Sequence, residues 1–180
     1  MSTCSRRRCA LLLLAGATAP WLAQADGLQR RGQGRLRFLG MNIYDATLRV
    51  APGFAADNFA QHRLALELHY LRALKGRLIA ERSLKEMHSV ARAAGQAIAP
   101  GDAQRWLSRM TELFPDVKAE DRITGEHDPG TGARFLLNGQ ALGAVNEPAF
   151  SALFFGVWLS PHTSEPALRQ ALLGAAARTG

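Results

Sequence analysis

The chain has 180 residues, with 22 lysines and arginines against 15 acids, a formal charge of +7, 47% hydrophobic residues and two cysteines. A chain of this length can close a single core without a disulfide or metal staple. Both cysteines, Cys4 and Cys9, stand at the very start, so thiol, redox and sulfur–metal chemistry is excluded for everything after them.

The first 25 residues carry the parts of an export signal in order. A basic cluster at Arg6, Arg7 and Arg8 precedes an apolar run from Cys9 to Leu22, and Ala23-Gln24-Ala25 forms a small-x-small cleavage site. The expected division is therefore 1–25 as a cleaved leader and 26–180 as one domain, periplasmic or secreted, beginning near Asp26. Gly16 and Pro20 interrupt the apolar run, which falls short of the ~20 residues a membrane-spanning helix needs, so no membrane span is expected after cleavage. Ser5-Arg6-Arg7 also permits twin-arginine export. The leader holds three arginines and no acid, so part of the basicity belongs to the address label.

Beyond the leader there is no internal repeat or low-complexity linker. Residues 35–50 are strand-like, with Gly40 as a bend and Ile43, Tyr44, Thr47 and Val50 beyond it; Ala51-Pro52-Gly53 breaks them. The clearest strand is 63–72, where Leu64, Leu66, Leu68 and Tyr70 share one face and Arg63, Glu67 and His69 the other. Lys75-Gly76 reads as a turn and Leu78-Ile79-Ala80 as a short second arm of a hairpin. Ser83-Leu84-Lys85-Glu86 matches a capping box that would start a helix ending at Gly95. A second helix is expected from Asp102, burying Trp106, Met110, Leu113 and Phe114 and stopping at Pro115.

Strands return at 122–127 and 133–137, and Asn138-Gly139 is a two-residue hairpin turn into 140–145. Asn146-Glu147-Pro148 opens a helix to about Leu159 that is apolar on nearly all sides, the expected centre of the helical layer. Ser164-Glu165-Pro166 opens a last one. Strands, two helices, strands, two helices describe an α+β fold, an antiparallel sheet with its helices on one face.

Several common catalytic signatures are absent: there is no Gly-rich phosphate loop, no Gly-x-Ser-x-Gly elbow and no His-Glu-x-x-His pair. The five histidines, His62, His69, His88, His127 and His162, are scattered over different elements, which favours surface or capping roles over a metal site. No cofactor, no metal and no nucleic-acid partner is expected. The cluster Arg30, Arg31, Arg35 and Arg37 is explained by a solvated edge strand or by an anionic envelope partner.

The polar residues that stand out are Tyr70 and Arg72, which continue the apolar face of the 63–72 strand, and Asn42 with Tyr44 on the strand before it. A guanidinium aimed inward needs a carboxylate, backbone carbonyls or an anionic ligand, and at a strand end it is equally free to turn to solvent. If the two strands are neighbours, these four residues and a cleft lined by Leu, Met and Phe suit a small amphipathic anion, a fatty acid or a phenolic acid.

Phe38-Leu39-Gly40-Met41-Asn42-Ile43-Tyr44-Asp45-Ala46 and Leu68-His69-Tyr70-Leu71-Arg72 resemble the exported chalcone isomerase-like proteins of bacteria. Trp106 to Met110, Phe114-Pro115, the run from Asn138 to Gly143 and that from Phe154 to Pro161 extend the resemblance over the rest of the domain. It implies an open-faced β-sandwich, a large curved antiparallel sheet around a helical layer with a ligand cleft between. Plant chalcone isomerases use an arginine with a threonine, tyrosine and asparagine network. Here the threonine position falls on Leu39 and the other two near Ile79 and Glu86, so ring closure is not implied and no catalytic residue is assigned. A related plant group binds fatty acids through an arginine and a tyrosine, for which Arg72 with Tyr44 or Tyr70 are the counterparts by chemistry. The leading expectation is thus non-catalytic binding of an amphipathic anion by Arg72, Tyr70, Tyr44 and Asn42. The alternatives are an isomerase or intramolecular lyase with Glu86 as base, and an envelope protein docking through Arg30 to Arg37.

Overall fold

A computed structural model describes residues 27–174; the expected leader, 1–25, lies outside them. Six strands, β1 (Gln29–Phe38), β2 (Met41–Val50), β3 (Leu64–Tyr70), β4 (Arg122–Asp128), β5 (Gly132–Leu137) and β6 (Gln140–Val145), pair antiparallel in sequence order. Helices α1 (Gly76–Ala93) and α2 (Pro100–Leu113) are inserted between β3 and β4, and α3 (Pro148–Leu159) and α4 (Pro166–Leu172) follow β6. This is the expected α+β open-faced sandwich. Among the described residues no helix is long and apolar enough to cross a membrane.

Strand alternation sorts the side chains. Tyr44, Ala46, Leu48 and Val50 of β2 and Leu64, Leu66, Leu68 and Tyr70 of β3 are buried on the helical side, and the register sets Tyr44 opposite Tyr70 and Leu48 opposite Leu66. The other parity carries ion pairs, Arg35 with Asp45 at 2.6 Å, Arg122 with Glu67 at 2.7 Å, and Arg134 with Glu126. Each such partly exposed pair contributes only about 0–1 kcal/mol, so this face is solvated more than stapled. The burial is on the other side, where α3 packs against α1, α4 and the sheet. Its Phe150 and Phe154 stack at 5.5 Å, and Phe154 meets Phe135 of β5 edge-on at 5.1 Å. Full burial of each such ring contributes about 1.5–3 kcal/mol.

Four sequence expectations need correction. The stretch 35–50 is not one bent strand; it is most of a hairpin whose first arm begins at Gln29 and turns at Leu39-Gly40. Residues 75–80 form no hairpin arm, and Ser83 starts no helix: α1 begins at Gly76, and Ser83 and Glu86 lie well inside it. The reason is a cap supplied from far away, since the Gly76 amide donates to Asp116 Oδ1 at 3.0 Å. Gly76 also fits where a Cβ would stand 2.0 Å from the Phe114 carbonyl oxygen, so the helix start is docked on the chain leaving α2. Asp102 is not the cap of α2 either; Ala99 precedes Pro100 at the first helical positions, and Asp102 sits in the first turn, where its charge favours the helix dipole.

Candidate functional site

A cavity of about 240 Å³ lies between the sheet and the helices near the β1–β2 turn. Its floor is Tyr44 of β2, Leu68 and Tyr70 of β3 and Ile123 of β4, all from the inward parity. Helix α1 contributes Ile79, Arg82, Ser83 and Glu86, an i, i+3, i+4, i+7 set on one face. Phe154, Val157 and Trp158 of α3 close the far side, and Ser164 with Glu165 edge it before α4. Phe38 and Leu78 line the cavity yet are 45% and 57% exposed, so the mouth opens between the β1–β2 turn and the first turns of α1.

The polar groups are few and connected. Arg82 Nε pairs with Glu86 Oε1 at 2.8 Å, with side chains 49% and 12% exposed, so the cation reaches the mouth and the carboxylate stays inside. Glu86 Oε2 accepts from the Ser164 hydroxyl at 2.7 Å. The Arg82 guanidinium also lies over the Phe38 ring, 5.4 Å from its centroid. On the floor, Trp158 Nε1 donates to Tyr44 Oη at 2.9 Å, which leaves the Tyr44 hydrogen to donate in turn. Tyr44 and Tyr70 meet edge to face, 5.9 Å apart. Burial pushes the Tyr44 phenol well above the ordinary tyrosine range, against the opposing effect of the Trp158 hydrogen bond. It does the same to Tyr70, with a smaller push from Tyr44. Both phenols are therefore neutral donors at any ordinary pH.

Tyr44 and Tyr70 thus line one cavity, while Arg72 and Asn42 do not. Strand β3 ends at Tyr70; Leu71 still donates its amide to the Ile43 carbonyl, and the chain then leaves the sheet. Arg72 turns toward the hairpin, where Nη1 donates to Met41 Sδ and the buried Nε has no hydrogen-bond partner. Asn42 is exposed beside the turn and accepts from Arg37 Nε at 3.1 Å. Leu39, matched above to the network threonine, is 82% exposed on the turn and is no part of the cavity. The cation that the sequence does not reveal is Arg82, because a helix begun at the Ser83 capping box leaves it one residue outside.

The histidines also separate. Among the described residues no cluster of metal-ligating side chains forms. His127 is buried, contrary to the surface or capping role expected of it: its ring contacts Ser151 Oγ at 2.6 Å through Nδ1 and the Ala60 carbonyl at 3.0 Å through Nε2.

Against known proteins, residues 24–174 match the family described as chalcone isomerase-like. The chain belongs to the chalcone isomerase-like family. An uncharacterized protein of Haemophilus influenzae is 30% identical over 133 residues, 74% of this chain and 61% of that one. The chain spans about three fifths of the length of that relative. The crystal structure of an Arabidopsis thaliana fatty-acid binding protein superposes with a TM-score of 0.65 at 13% identity, covering 83% of this chain and 88% of the other. At that identity the likeness is one of fold.

Proposed function

We propose that this chalcone isomerase-like protein is a non-catalytic carrier or sensor that binds a small amphipathic anion, a fatty acid or a phenolic acid, in the cavity between sheet and helices. The observation that carries the reading is an apolar chamber with one guanidinium at its mouth and two neutral phenols on its floor. The acid head meets Arg82, and the apolar body lies against Leu68, Ile123 and Phe154. Tyr44 offers its free hydrogen, and Tyr70 stands edge to face with it, 5.9 Å away, on the same floor. A fold shared with a plant fatty-acid binding protein supports the same reading. Arg72 and Asn42 take no part in this contact, because neither lines the cavity.

The test is native mass spectrometry of the protein purified from its export route, beside Arg82→Gln. A co-purifying acid that is lost or reduced in the variant is the expected result. A wild type that carries no acid, and takes up neither fatty nor phenolic acids on titration, overturns the reading. Action in the periplasm or outside the cell is part of the proposal. An intact mass beginning near Asp26 supports it, and a full-length cytoplasmic chain removes it.

Glu86 inside the cavity favours one second reading, an isomerase or intramolecular lyase with this carboxylate as base. Turnover of phenolic enones that disappears in Glu86→Gln establishes it; no turnover in the wild type removes it.

A further inference from the structure

The β1–β2 and β5–β6 hairpins use the same two-residue turn. Leu39-Gly40 has φ of 48° and 76°, and Asn138-Gly139 has φ of 50° and 82°. A turn with two positive φ values favours Asn-Gly, because asparagine tolerates the left-handed region and leucine does not. The second hairpin follows that rule, and Asn138 adds a hydrogen bond from its amide to Asp121. The first breaks it with a leucine that is 82% exposed and packs on nothing that would reward it. Folding therefore does not explain Leu39.

The turn is also the centre of an apolar patch. Phe38 and Met41 flank Leu39 at 45% and 43% exposure, and Leu78 of α1 stands beside the same cavity mouth at 57%; these four are the exposed large hydrophobics of the described residues. Their gathering at one end, where the cavity opens, is not the random scatter expected of surface apolar groups.

Charge names the partner. Guanidiniums reach three of the residues at this tip: Arg82 over Phe38, Arg72 on Met41 and Arg37 on Asn42. Most acids at this end are neutralised, Glu86 by Arg82, Glu81 by Arg77 and Asp116 by Lys75, while Glu120 is hydrogen-bonded to His69 Nε2 at 2.9 Å. Among the described residues Arg37 and Arg72 meet no carboxylate. The acids nearby without a lysine or arginine partner among the described residues are Glu165 on the cavity wall and Glu120. An apolar wedge ringed by spare cations fits the interface of an anionic bilayer, where apolar side chains enter the acyl boundary and arginines face lipid phosphates.

We propose that the Phe38–Met41 turn, with Leu78, docks this protein on an anionic lipid surface and holds the cavity mouth against it. The docking goes beyond the ligand-binding reading and stands without it.

Flotation of the mature protein with vesicles of phosphatidylethanolamine and phosphatidylglycerol tests it, with phosphatidylcholine vesicles as the neutral control. Wild type is expected to float with the anionic vesicles and to be released by salt. Leu39→Asn restores the favoured turn, so it should keep or raise the melting temperature while weakening vesicle binding about tenfold or more, the share of one buried leucine. Arg37→Gln should weaken it about fivefold, as for one cation near an anionic surface. Uptake of a fluorescent fatty acid in solution is the separate readout: Leu39→Asn should leave it unchanged, so failure of docking and failure of the cavity reading are told apart. Docking is overturned if wild type ignores anionic vesicles or if Leu39→Asn floats as well as wild type. It is equally overturned if the turn instead drives concentration-dependent self-association that Leu39→Asn abolishes, because the patch then meets a second copy of the chain.

Discussion

Replacing Glu86 with glutamine should tighten the binding of an acidic ligand. In the structure the Arg82 guanidinium is shared with Glu86 at 2.8 Å, and the carboxylate is kept inside by the Ser164 hydroxyl. An acid head gripped by the other edge of that guanidinium comes to rest some ~7 Å from the Glu86 carboxylate, where two like charges repel by about 2 kcal/mol at an effective dielectric of ~20. Arg82 is 49% exposed, so solvent screening reduces that repulsion, to about 1 kcal/mol or a fivefold gain in affinity on Glu86→Gln. Glutamine keeps an acceptor for Ser164 and nearly the same volume, so stability changes little. Displacement of a fluorescent fatty acid, read at two salt concentrations, measures the effect, which should shrink as salt rises. Weaker binding in Glu86→Gln would refute the reasoning, since it would mean that Glu86 positions Arg82 instead of competing for it. An unchanged affinity would place the acid head away from Arg82 altogether.

Three further outcomes follow from buried or closely packed groups. Tyr44→Phe leaves the Trp158 indole N–H without its acceptor, and should cost about 1–3 kcal/mol in urea denaturation. The His127 ring is held below its ordinary pKa of 6.5, chiefly by burial and against the pull of the Ala60 carbonyl and Asp128. The unfolded chain then binds a proton below that value which the native one does not. The contribution of His127 is therefore present above about pH 6.5 and is lost as pH falls, by up to ~1.4 kcal/mol per pH unit until the folded pKa is passed. His127→Gln should flatten that slope in stability curves taken from pH 8 to 5. Gly32→Ala should displace α4, because the added Cβ would stand 2.2 Å and 2.5 Å from the carbonyl oxygens of Ala171 and Leu172. Backbone cannot yield as a side chain does, so a cost of about 1–3 kcal/mol is expected, and thermal unfolding measures it.

Much of the fold is legible in the sequence where the signal is local. Alternation of Leu64, Leu66, Leu68 and Tyr70 defines β3, Asn138-Gly139 defines the last hairpin, and Pro148 marks the start of a helix whose all-round apolarity places it centrally. The start of α1 was hidden because its cap comes from Asp116, a partner no local pattern reveals. The site is concealed with it: a helix begun at Ser83 leaves Arg82 outside, off the face it shares with Ile79, Ser83 and Glu86. Strand parity points to Arg72, but parity holds only while the strand lasts, and β3 ends two residues before it. Burial of His127 was within reach, since it shares the parity of Ile123 and Gly125 along β4.

The sequential strand order has a kinetic consequence. β1, β2 and β3 form one meander and β4, β5 and β6 another, each built from connections of at most 13 residues, whereas the β3–β4 seam joins strands separated by residues 71–121 with both α1 and α2 between them. Hairpins of the first kind close within about 1–10 μs, but the seam must gather a long intervening chain before any of its contacts offset the lost entropy. Ile123 and Tyr70 come together only when that seam forms, and α1 packs on α2 and on α3, which itself sits on β4 and β5. The cavity floor is thus complete only once that seam is made, and two finished half-sheets that have not joined would have no place to hold a ligand.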